Sequence, residues 1–322
     1  MSSRDFLHKN ARTPRREYFM AAGAVCRLST NFAPILEAAR ESFLPLHSTP
    51  RHVDFQLRLW VDVSADAKPP WPKPYLRGLG RLIFAGFDSE NSFLVDRRTQ
   101  RVIGRFSLAM GADQVYWKTV VFPNLLTLLG PSVGVTEFHC ACVAREGGGI
   151  LLWGPSGSGK STLTFALARR GFSFLSDDWT FFSQIDKRLR AWGVIARMKL
   201  LPPAVEFFPE LGNFKVGVSV NGERAYEFAP DFELGLPRSR FCEPRCLIFL
   251  ERRLAPEFTL TRMPAEEAIA RLEGDLLAET SELLSPQLRI IESLVGRQCW
   301  LLRYGGSPHV IAEKLVSLYG MA

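Results

Sequence analysis

The sequence predicts an α/β chain in two modules: a β-rich (α+β) first module, then a domain built on a strand, a glycine-rich loop and a helix. Three observations lead there. Period-two alternation of apolar and polar residues recurs between Val25 and Leu108, as in half-buried strands. The apolar run ILLW leads straight into a glycine-rich loop, and the helix-forming STLTFALARR follows it. The remainder then mixes helix-like and strand-like segments.

Taken in order, residues 1–20 read as a flexible basic arm, because MSSRDFLHKNARTPRREYF mixes charges throughout and lacks a signal-peptide core. Residues 21–110 form the β-rich module. HVDFQLRLWVDV, RLIFAGF and SFLVDRRTQRVIGRFSL are its strands, APILEAARESFL a helix among them, and KPPWPKPY a proline-rich loop. The character changes between Ser107 and Gln114, so the second domain spans residues 111–322. It opens with DQVYWKTVVFPNLLTLLG, a helix that Pro123 should interrupt or kink. Strand-like FHCACVA, the turn REGGG and strand-like ILLW then form a hairpin. Toward the C-terminus come the helical patterns AEEAIARLEGDLL and PQLRIIESLVG, a strand CWLLRY and a last helix PHVIAEKLVSLY.

Bulk properties bound the function. The 322 residues are 47% hydrophobic and 23% charged, a globular composition with ample material for a core. No run of about 18 apolar residues suggests a membrane helix, so no membrane partner is expected. The six cysteines make no disulfide framework for a chain this long, and the expected compartment is the cytoplasm. Cys140-x-Cys142 and Cys242-x3-Cys246 invite a zinc reading, but the first pair lies in an expected strand and lacks the usual C-x2-C knuckle spacing, so the cysteines read as buried free thiols. The net charge of +7 is spread along the chain instead of forming one stripe, which weighs against nucleic acid.

The loop carries the chemistry. Gly154-Pro155-Ser156-Gly157-Ser158-Gly159-Lys160-Ser161 fits G-x-x-x-x-G-K-[ST] at every fixed position, and the cradle extends to Thr162. Glycines let successive backbone N–H groups turn inward on phosphate oxygens, and the following helix adds its positive end. Lys160 would neutralise β- and γ-phosphate charge, and Ser161 would offer its hydroxyl to Mg²⁺. Past Gly171, FSFLS is a short strand ending in Asp177-Asp178, seventeen residues after Lys160. In open α/β sheets chemistry gathers at the carboxyl ends of strands. Two carboxylates there suit metal holding and proton abstraction, and because neighbouring strand residues face opposite ways, they should have different tasks. A lone His139 in an apolar strand would, by itself, read as a core residue.

Strand His139, the loop Gly154 to Ser161, Arg170-Gly171 and Asp177-Asp178 together resemble the motif of the HPr kinase/phosphorylase family, without a gap over 40 residues. The likeness is greatest to its divergent HPr-kinase-related kinases. The first module resembles the leader region of such proteins encoded beside peptide-modification genes. The resemblance implies an ATP-dependent, Mg²⁺-requiring kinase with a serine acceptor on a peptide or small protein. It implies Asp177 as the base, Asp178 with Ser161 at the metal, and His139 tuning a carboxylate. Two departures stand out: Thr162 replaces a glutamate, and ARMKLLPP, with Arg197 and Lys199, stands where an Arg-Gly-rich signature would be. Both weigh against phosphorylase activity and against HPr as substrate. Two other readings compete. One is a small-molecule kinase with Arg238, Arg240 and Arg245 as a lid; the other is a non-catalytic ATP-binding regulator or scaffold. Homo-oligomerisation is left open.

Overall fold

The computed structural model describes residues 11–219, 221–274, 276 and 281–319. It is a mixed α/β structure in which large sheets outweigh the helices, and its contacts divide the chain into residues 1–133 and 134–322. No described helix is long and apolar enough to cross a membrane.

The first unit begins with β1 (Arg15–Ala21), β2 (Ala24–Thr30), α1 (Ala33–Ser42), β3 (Leu44–Leu46) and β4 (Phe55–Asp62). It continues with β5 (Tyr75–Leu79), β6 (Leu82–Gly86), β7 (Ser92–Asp96) and β8 (Arg101–Ser107). These strands make one eight-stranded sheet in the order β3-β1-β2-β4-β8-β7-β6-β5. Period-two alternation buries Phe19, Leu28, Leu57, Phe93, Val95, Val102 and Phe106 on one face. Helical segments supply the apolar cover for these residues: α1, α2 (Leu108–Ala112), α3 (Gln114–Tyr116), a π-helical turn Trp117–Val121, and α4 (Phe122–Leu129). Trp117 packs edge-on to Phe106 and tilts against Phe122, which also meets Phe43.

Three details differ from expectation. Residues 1–10 of the expected arm lie outside the described residues, but Arg15–Ala21 is a full strand paired with β2 and β3. Its alternating burial, with Phe19 and Ala21 inside, outweighs its charge density. Pro123 does not break the helix at its own position: the backbone stays helical through Val121 and Phe122. The irregularity is a π turn, Trp117–Val121, just before the proline, which has no N–H to pair with that turn's carbonyls. The division between units falls after Val133, later than the change in composition, because the helices from Leu108 to Leu129 serve the first sheet.

The second unit holds β9 (Val135–Phe138), β10 (Cys140–Arg145), β11 (Gly148–Trp153), α5 (Lys160–Ala168), β12 (Ser173–Ser176), β13 (Thr180–Ile185) and β14 (Arg188–Trp192). A small sheet, β15 (Met198–Leu200), β16 (Val216–Val218) and β17 (Arg224–Phe228), comes next, then α6 (Pro230–Leu234). The unit ends with β18 (Phe241–Arg252), β19 (Glu257–Arg262), α7 (Ala265–Glu273), α8 (Ser281–Val295), β20 (Gln298–Gly305) and α9 (Pro308–Tyr319). β11, β18 and β20 run parallel as neighbours, while β10 and β12 continue the sheet antiparallel. Both faces of this sheet are buried. Ile150, Leu152, Ile248 and Leu250 pack with α5, α9 and the small sheet; Leu151, Trp153, Leu247 and Phe249 pack with α7 and α8. Burial on both sides explains the unbroken apolar runs ILLW and CLIFL.

Candidate functional site

The glycine-rich loop joins the end of β11 to α5, as the strand–loop–helix pattern requires. Gly157 and Gly159 have φ of +80° and +91°, the left-handed region that side chains avoid. At Gly159 space also forbids a side chain, since a Cβ would come within 2.2 Å of the Tyr304 hydroxyl. That hydroxyl donates to the Ser158 carbonyl, so β20 braces the crest of the loop. At Gly154 a Cβ would meet Ser158 Oγ at 2.7 Å and the Leu250 carbonyl at 3.1 Å. Ser158 Oγ is buried with no hydrogen-bond partner among the described residues.

Lys160 opens α5 and is almost fully buried. Its Nζ donates to the Gly154 carbonyl at 2.7 Å, folding back over its own loop. Ser161 Oγ, 3.4 Å from the Asp177 carbonyl, ties the first turn of α5 to the end of β12. Pro155, Ser156 and Gly157 form the exposed outer part of the loop. Thr162 lies half-buried in the first turn of α5.

His139 is placed by a change of strand partners. β9 ends at Phe138 and pairs with β13; β10 begins at Cys140 and pairs with β11 and β12. The antiparallel chain changes partners at the same level, between Ser176 and Thr180. His139 therefore faces the break that holds Asp177, Asp178 and Trp179. The break is fixed by Thr180 Oγ1 donating to the Cys140 carbonyl and Ser176 Oγ donating to the Trp179 carbonyl. His139 Nε2 lies 2.5 Å from Asp178 Oδ1, and its ring stacks on Trp179 at 5.1 Å and 28°.

The two aspartates occupy opposite environments. Asp177 is 6% exposed, and its Oδ2 accepts the backbone N–H of Lys199 at 2.8 Å. Burial pushes its carboxyl up to about 7; the Lys199 N–H opposes that, and the nearby Asp178 charge adds to it. The Asp178 side chain is about half exposed. Partial burial alone would raise it, but the His139 hydrogen bond and charge, with the charges of Lys160 and Lys199, hold it below the usual carboxylate range. Lys160, Ser161, His139, Asp177 and Asp178 thus meet at the carboxyl ends of β11 and β12.

Trp179, Tyr304 and the Lys199 backbone belong to this cluster without any local signal in sequence. Lys199 has its Nζ paired with Glu223, and Arg197 donates to the Glu227 carbonyl at 2.6 Å. Of the arginines considered for a lid, Arg238 lies 3.7 Å from Asp231. Arg245 stands at the far end of β18, next to Pro244, which pairs with Gly149 at the start of β11. Cys142 and Cys242 bring their sulfurs to 3.6 Å over Gly149. Among the described residues no group of three or more His, Cys, Asp or Glu gathers to hold a metal.

No protein-family model and no curated protein matches the chain. Among solved structures, the chain is similar to the Hpr(Ser) kinase/phosphatase from Coxiella burnetii, with 14% identity, a TM-score of 0.32, and coverage of 58% of this chain and 97% of that chain. A likeness this weak leaves the chemistry to be argued from the chain's own geometry.

Proposed function

We propose that the second unit is an ATP-dependent kinase that passes a γ-phosphoryl group to a serine or other hydroxyl on a peptide or small protein. The observation that carries this reading is the aspartate pair, one carboxyl raised to about 7 and one held low, set beside Lys160 and Ser161. Titratable neighbours whose environments drive their pKa values apart mark acid–base assignments.

The residues present fit a nucleotide phosphate with magnesium. The loop is shaped by glycines whose Cβ positions are occupied by Ser158 and Tyr304 or whose φ is positive. The nine-residue helix α5 directs its N-terminal N–H groups and Lys160 to the same place. Magnesium is commonly held by one or two carboxylates with phosphates and waters, so Ser161 and Asp178 suffice without an all-protein cage. When bound, it would offset charge on the β- and γ-oxygens.

Lys160, released from the Gly154 carbonyl, supplies positive charge to the phosphates. Asp177 accepts the proton of the attacking hydroxyl; a carboxyl near 7 is poised for that near neutral pH. His139, stacked on Trp179, fixes the rotamer of Asp178 and keeps it ionised. Phosphoryl transfer asks mainly for positioning and charge stabilisation, so this small set is sufficient. Thr162 and the Arg197–Lys199 stretch offer no obvious support for the reverse reaction, and Lys199 is engaged by Glu223.

The test is incubation of the full chain with γ-labelled ATP, Mg²⁺ and a pool of serine-containing peptides. Label should reach serine in the wild type and fall by about 10²-fold or more in Asp177→Asn, with nucleotide affinity nearly unchanged. Absence of labelled peptide with hydrolysis intact would overturn the assignment. A larger loss in Asp178→Asn than in Asp177→Asn would exchange the two roles.

A further inference from the structure

The first unit's sheet has one face packed by helices; on the other face Trp60 of β4 is buried, but the part formed by β5 to β8 is exposed and carries an apolar row. In β6, β7 and β8 alternation sends Ile83, Phe93, Val95 and Val102 inward and Phe84, Leu94 and Ile103 outward. The registers set Phe84 opposite Leu94 and Leu94 opposite Ile103, so the three form a ladder across the sheet. Each is about two-fifths exposed. On the edge strand β5, Tyr75 and Leu79 extend the row at 55% and 81% exposure. A solvent-facing sheet surface ordinarily carries polar side chains there, and contiguous apolar exposure marks a contact surface.

The row is framed by positive charge. Arg77 stands opposite Phe84 at one end, and Arg58 opposite Ile103 at the other, with Arg101 beside it on the same face. Arg77 lies over the Tyr75 ring at 5.3 Å, and Arg58 donates to the neutral Ala11 carbonyl. Among the described residues no carboxylate pairs with Arg58, Arg77 or Arg101. Asp96 shares the face but is taken by Arg81 and by the N–H groups of Arg98 and Thr99.

We propose that this face docks an acidic polypeptide segment that presents aliphatic or aromatic side chains. Carboxylates of the partner meet the three guanidinium groups while its apolar side chains cover the ladder, the usual division between anchor and charged rim. A second copy of the chain would bring guanidinium against guanidinium. A single-stranded nucleic acid would need successive aromatic platforms, whereas the row has only Phe84 and Tyr75 among its described members, the second already covered by Arg77. Its other members, Leu79, Leu94 and Ile103, are aliphatic. The inference stands on the first unit alone and does not depend on the chemistry proposed for the second.

The test uses the full chain and fluorescently labelled probes read by anisotropy: a peptide alternating Glu with Leu, its Lys/Leu and Glu/Ser counterparts, and oligo-dT. The Glu/Leu peptide should bind best and weaken as salt rises. Leu94→Ser with Ile103→Ser should cost about tenfold or more, as should Arg58→Gln with Arg101→Gln, the latter also flattening the salt dependence. Leu94, Ile103 and Arg101 are exposed and Arg58 is half-buried at the Ala11 carbonyl; unchanged thermal melts would show that the fold survives both double variants. Equal binding of the Lys/Leu or Glu/Ser peptide would overturn the proposal. Tighter binding of oligo-dT, indifference of both double variants, or no binding would do the same. So would a sedimentation result in which the wild type is a dimer that Leu94→Ser with Ile103→Ser dissolves.

Discussion

Replacing Asp177 by Asn isolates the cost of a buried charge. The folded protein holds this carboxyl at about 7, against an ordinary value of 3.8, chiefly through burial. A raised carboxyl favours the folded state when protonated, so its contribution is complete below about pH 4 and is lost as pH rises through about 7. At about 1.4 kcal/mol per pH unit, the gap is worth about 4 kcal/mol above pH 8. Asn keeps an oxygen for the Lys199 N–H and has no charge to bury. Wild type and Asp177→Asn should therefore unfold alike at about pH 4 and below, and the variant should become the more stable one as pH rises from there to about 7. For a unit of this size the difference at pH 8.5 should be on the order of 10 °C in Tm. Thermal melts across pH 4–9, followed by circular dichroism, measure it. A constant difference across that range, or a wild type that gains on the variant above pH 7, would refute the reasoning.

Other consequences follow from the same geometry. Gly159→Ala should weaken nucleotide binding by about tenfold or more, because φ of +91° and a 2.2 Å approach to the Tyr304 hydroxyl both resist a Cβ; calorimetric titration with Mg-ATP would show it. Gly149→Ala should cost about 1–3 kcal/mol in urea unfolding, since its Cβ would lie 2.4 Å from Cys242 Sγ, and Cys242→Ala should restore much of the loss. With phosphorylated product and excess inorganic phosphate, pyrophosphate should form far more slowly than forward transfer, measured by a coupled pyrophosphate assay.

What was legible in the sequence is what local backbone chemistry dictates. Gly157 and Gly159 need positive φ, and an apolar strand before them with a helix after them left little freedom for the loop. The strands of the first unit were legible by alternation, except Arg15–Ala21, whose three charges hid the same period. The helical cover from Leu108 to Leu129 looked like the start of a new domain because sequence shows an apolar face but not which sheet receives it. His139 was marked only by the resemblance, not by its local context. In EFHCACVA every neighbour suits a strand, and the exchange of partners from β13 to β11 and β12 at that residue is a long-range event. The Lys199 N–H on Asp177 and the Tyr304 hydroxyl on Ser158 arrive from 22 and 146 residues away, beyond any local pattern.

The central claim is that Gly154–Ser161 cradles nucleotide phosphates with Lys160 as the cation. Calorimetric titration of Mg-ATP, Mg-ADP and AMP into wild type and Lys160→Ala tests it most directly. The account predicts one nucleotide per chain, affinity that falls from ATP to AMP as phosphates are removed, and a loss of about tenfold or more for ATP in Lys160→Ala. Equal ATP affinity in the two proteins, or wild-type affinity indifferent to the number of phosphates, would contradict it.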